Sequence, residues 1–205
     1  FTMVLVIYHA IVFWVIMADE ITAKDETDIF QITFDENSHL DESMRTIDDG
    51  DRETITFDVP DEMFTENDGF GILLINIAYG ETSGQQGDSC DTITADLEPN
   101  SVKADWQNEN NVLSGLSTDC STISLMLHVY PGFVGEDHQA FGMDELHWSN
   151  LWKDDSHGQG VFELEVEVDT SQPIGSVIPG ISDDDEEVTV TWEAVFFDVL
   201  VEQIN

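Results

Sequence analysis

From residue 28 onward, apolar and polar residues alternate one by one, the pattern of strands with one face in a core and one in water. Phe30, Ile32 and Phe34 alternate with Gln31 and Thr33, and Ile55, Phe57 and Val59 alternate before Pro60 ends the run. Ile93, Ala95 and Leu97 make a shorter candidate, and Ile123, Leu125, Leu127 and Val129 a longer one that stops at Pro131-Gly132. Phe162, Leu164, Val166 and Val168 alternate with Glu163, Glu165 and Glu167. Val188, Val190, Trp192, Ala194 and Phe196 define one face of a last strand that runs to about Val201. Phe70 to Tyr79 is nearly continuous in apolar residues and predicts a central strand covered on both faces. Some seven strands with turn-rich connections predict a mainly β fold, an antiparallel β-sandwich of immunoglobulin-like or jelly-roll type.

Two stretches break this alternation. Met143 to Trp152 places apolar residues at helical spacing, with Asp144 and Glu145 in the first turn, and predicts a short surface helix. Phe1 to Ala18 holds no Asp, Glu, Lys or Arg. As a helix it would extend about 27 Å, just short of a ~30 Å hydrocarbon core. The expected organisation is therefore a hydrophobic helix over residues 1–20 and an acidic β head over 21–205. The segments 81–89, 153–160 and 172–187 read as long loops.

Charge sharpens this picture. Forty-four acidic residues face five basic ones, for a formal net charge of −39, and the acids are spread along the chain rather than gathered in a tail. Such self-repulsion fits a haloadapted or marine-type surface, because salt near 1 M shortens the screening length to roughly 3 Å. With no basic patch to meet phosphates, nucleic acid is excluded as a partner.

Candidate chemistry is sparse. Paired, Cys90 and Cys120 would close a loop of about 30 residues; free thiols are the alternative. An apolar N-terminal element that places the body outside the cytoplasm favours the bridge. No Asn-x-Ser/Thr sequon occurs. Asp183 to Glu187 lacks the ligand spacing and turn glycine of a calcium loop and reads as a solvated charge run. His138, His147 and His157 lie among acids without a metal-ligand spacing. Trp148 and Trp152 could present an aromatic binding surface, or pack the short helix onto the sheets. With no nucleophile elbow, phosphate-binding loop or dinucleotide-binding glycine pattern, the expectation is a non-enzyme without metal or cofactor.

The N-terminus carries a family resemblance. Phe1-Thr2 followed by Met3-Val4-Leu5-Val6-Ile7, with a β-rich head behind, resembles the processed start of type IV pilins, archaeal pilins and archaellins. The resemblance implies removal of a leader ahead of Phe1 and residence in the membrane before assembly. It further implies a homo-oligomeric helical filament at the cell surface, with Phe1, Leu5, Tyr8, His9, Val12, Phe13 and Ile16 on the bundled helix. Two other readings fit the layout: a membrane-anchored extracytoplasmic binding or scaffold (stator) domain, and a viral envelope or capsid component of jelly-roll type.

Overall fold

A computed structural model describes residues 3–9, 11–13, 27–80, 90–171 and 184–205. The fold is mainly β, with antiparallel pairing throughout the registered strands. In chain order the strands are β1 (Ile29–Asp48), β2 (Arg52–Asp58), β3 (Gly69–Tyr79), β4 (Thr92–Glu98), β5 (Ser114–Ser117), β6 (Ile123–His128), β7 (His138–Phe141), β8 (Val161–Asp169) and β9 (Asp185–Gln203). Helix α1 (Asp61–Glu66) lies between β2 and β3, and α2 (Glu145–Leu151) between β7 and β8. The chain divides into a larger compact unit, residues 34–136 and 152–199, and a smaller one, residues 1–33, 137–151 and 200–205.

In the larger unit, one sheet runs β6-β3-β9-β1 and the other β2-β8-β4-β5. Both sheets feed one core. Ile55 and Phe57 of β2 and Phe162, Leu164 and Val166 of β8 are buried with Leu73, Ile75 and Ile77 of β3 and Val190, Trp192 and Phe196 of β9. Trp192 stacks on Phe57 with ring centroids 5.1 Å apart, and Phe70 stacks on Phe196 at 4.6 Å. Such offset ring pairs add to what area burial alone supplies. On β8 the alternation is complete: Phe162, Leu164, Val166 and Val168 are buried, and the intervening glutamates face outward.

The β3–β9 register slips between Phe70 and Ile72, at Gly71. The Gly71 carbonyl accepts from the amides of both Val129 (2.9 Å) and Tyr130 (3.1 Å). A Cβ there would collide with the Phe133 ring. The bulge therefore needs glycine, and it brings the chain after β6 back over the sheet. There Phe133 stacks on Phe197 at 4.4 Å, while Phe34 meets Trp152 edge-on at 4.9 Å.

The structure departs from the sequence pattern in five places. β1 continues to Asp48 through a largely exposed, polar stretch. Its pairing with β9 extends at least to the neighbourhood of the Asp49 amide, which donates to the Asp184 carbonyl at 2.8 Å. β5, β7 and α1 have only four, four and six residues, too few to carry a period. Segment 153–160, read as a long loop, is pinned: Lys103 Nζ donates to Asp154 Oδ2 (2.8 Å) and Ser156 Oγ (2.7 Å), and His157 is buried. The loops at 81–89 and 172–183 lie outside the described residues.

Candidate assembly surface

In the smaller unit, β7 pairs with the start of β1, setting Ile29 opposite Phe141 and Phe30 opposite Ala140. Phe30, Ile32 and Ala140 are buried. Because side chains alternate across a strand, Ile29 and Phe141 share the other face. The Ile204 amide donates to the Ile29 carbonyl at 2.9 Å, which continues that row across the C-terminal segment. Gln203 Nε2 on Asp28 Oδ1 (2.9 Å) and Asn205 Nδ2 on the Thr27 carbonyl (3.1 Å) tie the C-terminus down.

Beyond β7 the chain turns through two successive left-handed residues, Gly142 (φ +72°) and Met143 (φ +59°). Glycine adopts that conformation freely; methionine does so at a cost of about 1–2 kcal/mol. Asp144 then starts α2: its Oδ1 accepts from the His147 amide at 2.7 Å, and its carbonyl from the Trp148 amide at 3.2 Å. The Trp148 indole reaches back to the Gly142 carbonyl at 2.9 Å and joins helix and turn into one surface. On it, Phe141 (60% exposed), Met143 (68%) and Leu146 (67%) face solvent, and no residue of α2 is buried. Helical spacing alone would predict that this apolar stripe is covered.

The helical residues 3–9 and 11–13 belong to the same unit and, Val12 apart, are as exposed, Met3 at 79%. Of the residues assigned to an assembly helix, Leu5, Tyr8, His9 and Phe13 are exposed and Val12 is intermediate. Phe1 and Ile16 lie outside the described residues. His9 Nδ1 lies 2.8 Å from the Leu5 carbonyl, an intrahelical contact. Among the described residues no helix is long and apolar enough to cross a membrane.

Cys90 and Cys120 form a disulfide with sulfurs 2.07 Å apart. Tyr79 Oη donates to Ser117 Oγ (2.8 Å) and accepts from the Cys120 amide (3.2 Å) beside it. His138 sits on β7 and His147 on α2, whereas His157 is buried in the larger unit with Nδ1 3.3 Å from Asp154 Oδ2. Burial first, and the Lys103 charge second, push His157 below its ordinary value. The Lys103 hydrogen bond holds Asp154 well below the usual carboxylate range. Tyr130, whose ring lies 4.8 Å from His157, is raised to about 12, chiefly by desolvation. Among the described residues no group of three His, Cys, Asp or Glu side chains is placed to hold a metal. Trp152 is buried against Phe34, Tyr130 and Phe197 rather than shared with Trp148 on an open surface. Glu186, within the acidic run, is buried, and its Oε1 accepts from the Glu187 amide at 3.0 Å.

No protein-family model and no curated protein matches this chain. Among solved structures it is similar to the decameric BFDV capsid protein, at 6% identity over 84% of this chain and 99% of that one, with a TM-score of 0.39. It is also similar to a chain of mud crab dicistrovirus, at 13% identity over 82% of this chain and 70% of that one, with a TM-score of 0.30. These neighbours are a viral capsid protein and a chain of a virus, not pilins or archaellins, and the pilin resemblance and the helical filament drawn from it are withdrawn. The misreading has a physical source. An uncharged helix-forming run ahead of a β head is a layout, and any apolar segment that must be covered produces it.

Proposed function

We propose that this chain is a structural shell subunit of the viral-capsid class that associates with its own copies through a jelly-roll body. The carrying observation is the strand order. β1-β9-β3-β6 in one sheet and β2-β8-β4-β5 in the other place successive strands of the chain mostly in alternate sheets, the winding of an eight-stranded jelly roll, with β7 as an additional strand. That fold serves capsids, lectins and small-molecule binders alike, so the choice among them rests on surfaces and cavities. A small-molecule binder needs room inside. Here Phe57, Phe70, Phe162, Trp192 and Phe196 fill the interior and are almost completely buried. A shell subunit needs uncharged outer surface to meet its copies, and the smaller unit exposes Phe141, Met143 and Leu146 on a chain of net charge −39.

The partners in this reading are protein copies and not nucleic acid. Arg45, Arg52, Lys103 and Lys153, the four described basic residues, are already in ion pairs with carboxylates. The Cys90–Cys120 disulfide supports an oxidising setting outside the cytoplasm. Mutual repulsion of acidic bodies makes assembly salt-dependent. Sedimentation velocity and negative-stain microscopy of the oxidised protein in molar salt test the proposal. Discrete large oligomers or closed particles, lost on dilution into low salt, are expected. A monomer at every concentration and salt refutes it.

A second reading draws on the exposed apolar residues within 3–9 and 11–13, among them Met3, Val4, Ile7, Ile11 and Phe13: an extracytoplasmic binding or scaffold module tethered to lipid. Flotation with vesicles, without self-association, would be its signature.

A further inference from the structure

Two apolar surfaces in the smaller unit are left exposed by the chain that makes them. One is the helical segment, apolar on every side: Val4, Ile7 and Ile11 lie along one stripe, with Met3, Leu5, Val6 and Phe13 around it, and all face solvent. The other is the turn–α2 surface of Phe141, Met143 and Leu146. A helix that is hydrophobic all round is stable in water only when covered. The second surface carries an independent mark of use. Met143 is held left-handed, and the strained turn aims an apolar side chain outward, where folding of the chain itself gains nothing from it.

Building on the shell reading, we propose that the N-terminal helical segment of one copy docks on the Phe141–Met143–Leu146 surface of the next. Charge selects this occupant. Two bodies of net charge −39 repel wherever carboxylates face each other, so one side of a favourable contact must be free of them. The turn surface sets exposed Asp144 and Glu145 among its three large apolar side chains and so repels a second copy of itself, whereas residues 3–13 contain no Asp, Glu, Lys or Arg. Insertion of the helix into lipid would leave the turn surface bare, and a turn-to-turn dimer would leave the helix bare. Helix on turn covers both. The contact is heterologous, head to tail, so it repeats around a ring or shell instead of stopping at a pair.

That geometry gives a complementation test on the full-length chain. Val4→Glu/Ile7→Glu/Ile11→Glu spoils the helix and keeps the turn, and Phe141→Asp/Leu146→Asp does the reverse. All five positions are exposed, so both variants fold. In sedimentation equilibrium in molar salt, each alone should self-associate about 100-fold more weakly than the parent. Mixed, they should form a one-to-one pair through the single remaining good interface and grow no further. Met143→Gly should raise the thermal midpoint of the dissociated chain yet weaken association, an opposite pair of changes that a purely structural role would not produce.

Several outcomes overturn the proposal. If the helix variant assembles normally while the turn variant does not, the turn is its own partner. If parent and turn variant both float with phosphatidylcholine vesicles without self-associating while the helix variant does not float, lipid is the occupant. If both variants build shells as the parent does, the shell reading stands and this contact falls. A parent that is monomeric throughout removes both.

Discussion

Removal of the Cys90–Cys120 bridge tests how the two ends of β4 and β5 are held. The bridge joins residues 30 apart in sequence. In the chain-entropy relation a closed loop of that length restricts the unfolded chain by about 12 cal/mol/K, or about 3.6 kcal/mol at 25 °C. For a chain of this size that corresponds to a fall of about 7–14 °C in thermal midpoint. Cys120 is also left-handed, at φ +56°, so part of the native bridge's benefit is offset by backbone strain. The prediction is therefore a ladder. Cys90→Ala/Cys120→Ala loses about 3.6 kcal/mol, while Cys90→Ala/Cys120→Gly, which relieves the left-handed residue, loses about 1 kcal/mol less. Urea unfolding followed by tryptophan fluorescence in molar salt measures both, with a steeper slope once the cross-link no longer keeps the unfolded chain compact. Reduction of the parent should bring it to the midpoint of the double alanine variant. A loss below about 1 kcal/mol for the double alanine variant would refute the loop-entropy reasoning, as would a glycine variant no better than the alanine one.

Gly71→Ala should destabilise by about 1–3 kcal/mol, because its methyl group meets the Phe133 ring at the β3 bulge. Gly80→Ala, which meets nothing within 4 Å, serves as the control in the same denaturation series. His157 gives a pH signature. Its folded value lies below the ordinary 6.5, so the unfolded chain takes up the proton more readily, and stability present above pH 6.5 is lost as the pH falls through that value toward the folded one. A thermal-midpoint profile at constant salt should show this slope in the parent and lose it in His157→Gln; an unchanged slope in the variant would refute the assignment.

Much of the architecture is legible as one-dimensional pattern. Alternation locates β2, β4, β6, β8 and β9, because a strand with one face in a core must place apolar residues at every second position, and a nearly continuous apolar run locates β3. The charge imbalance is likewise read directly from composition, with forty-four acidic residues against five basic ones. The pattern fails where pairing rather than burial makes the strand. The outer half of β1 is polar and exposed, so nothing in its composition announces a strand; β9 beside it supplies the partner.

The candidate surface divides the same way. The apolar character of residues 1–18 and the helical spacing of 143–152 are evident in the chain, but spacing predicts a buried stripe and cannot say which face is left open. The left-handed turn at Gly142-Met143 and the indole bond of Trp148 to Gly142 decide that Met143 and Leu146 point to solvent. The winding of the strands into two sheets is decided there too. Alternation states that a segment has a buried side, whereas the identity of its neighbours depends on contacts between residues more than a hundred positions apart, such as Ile75 with Trp192. Periodicity is a local property of the chain, while strand order and exposed edges are set by closure of one shared core, and only the folded chain brings that core together.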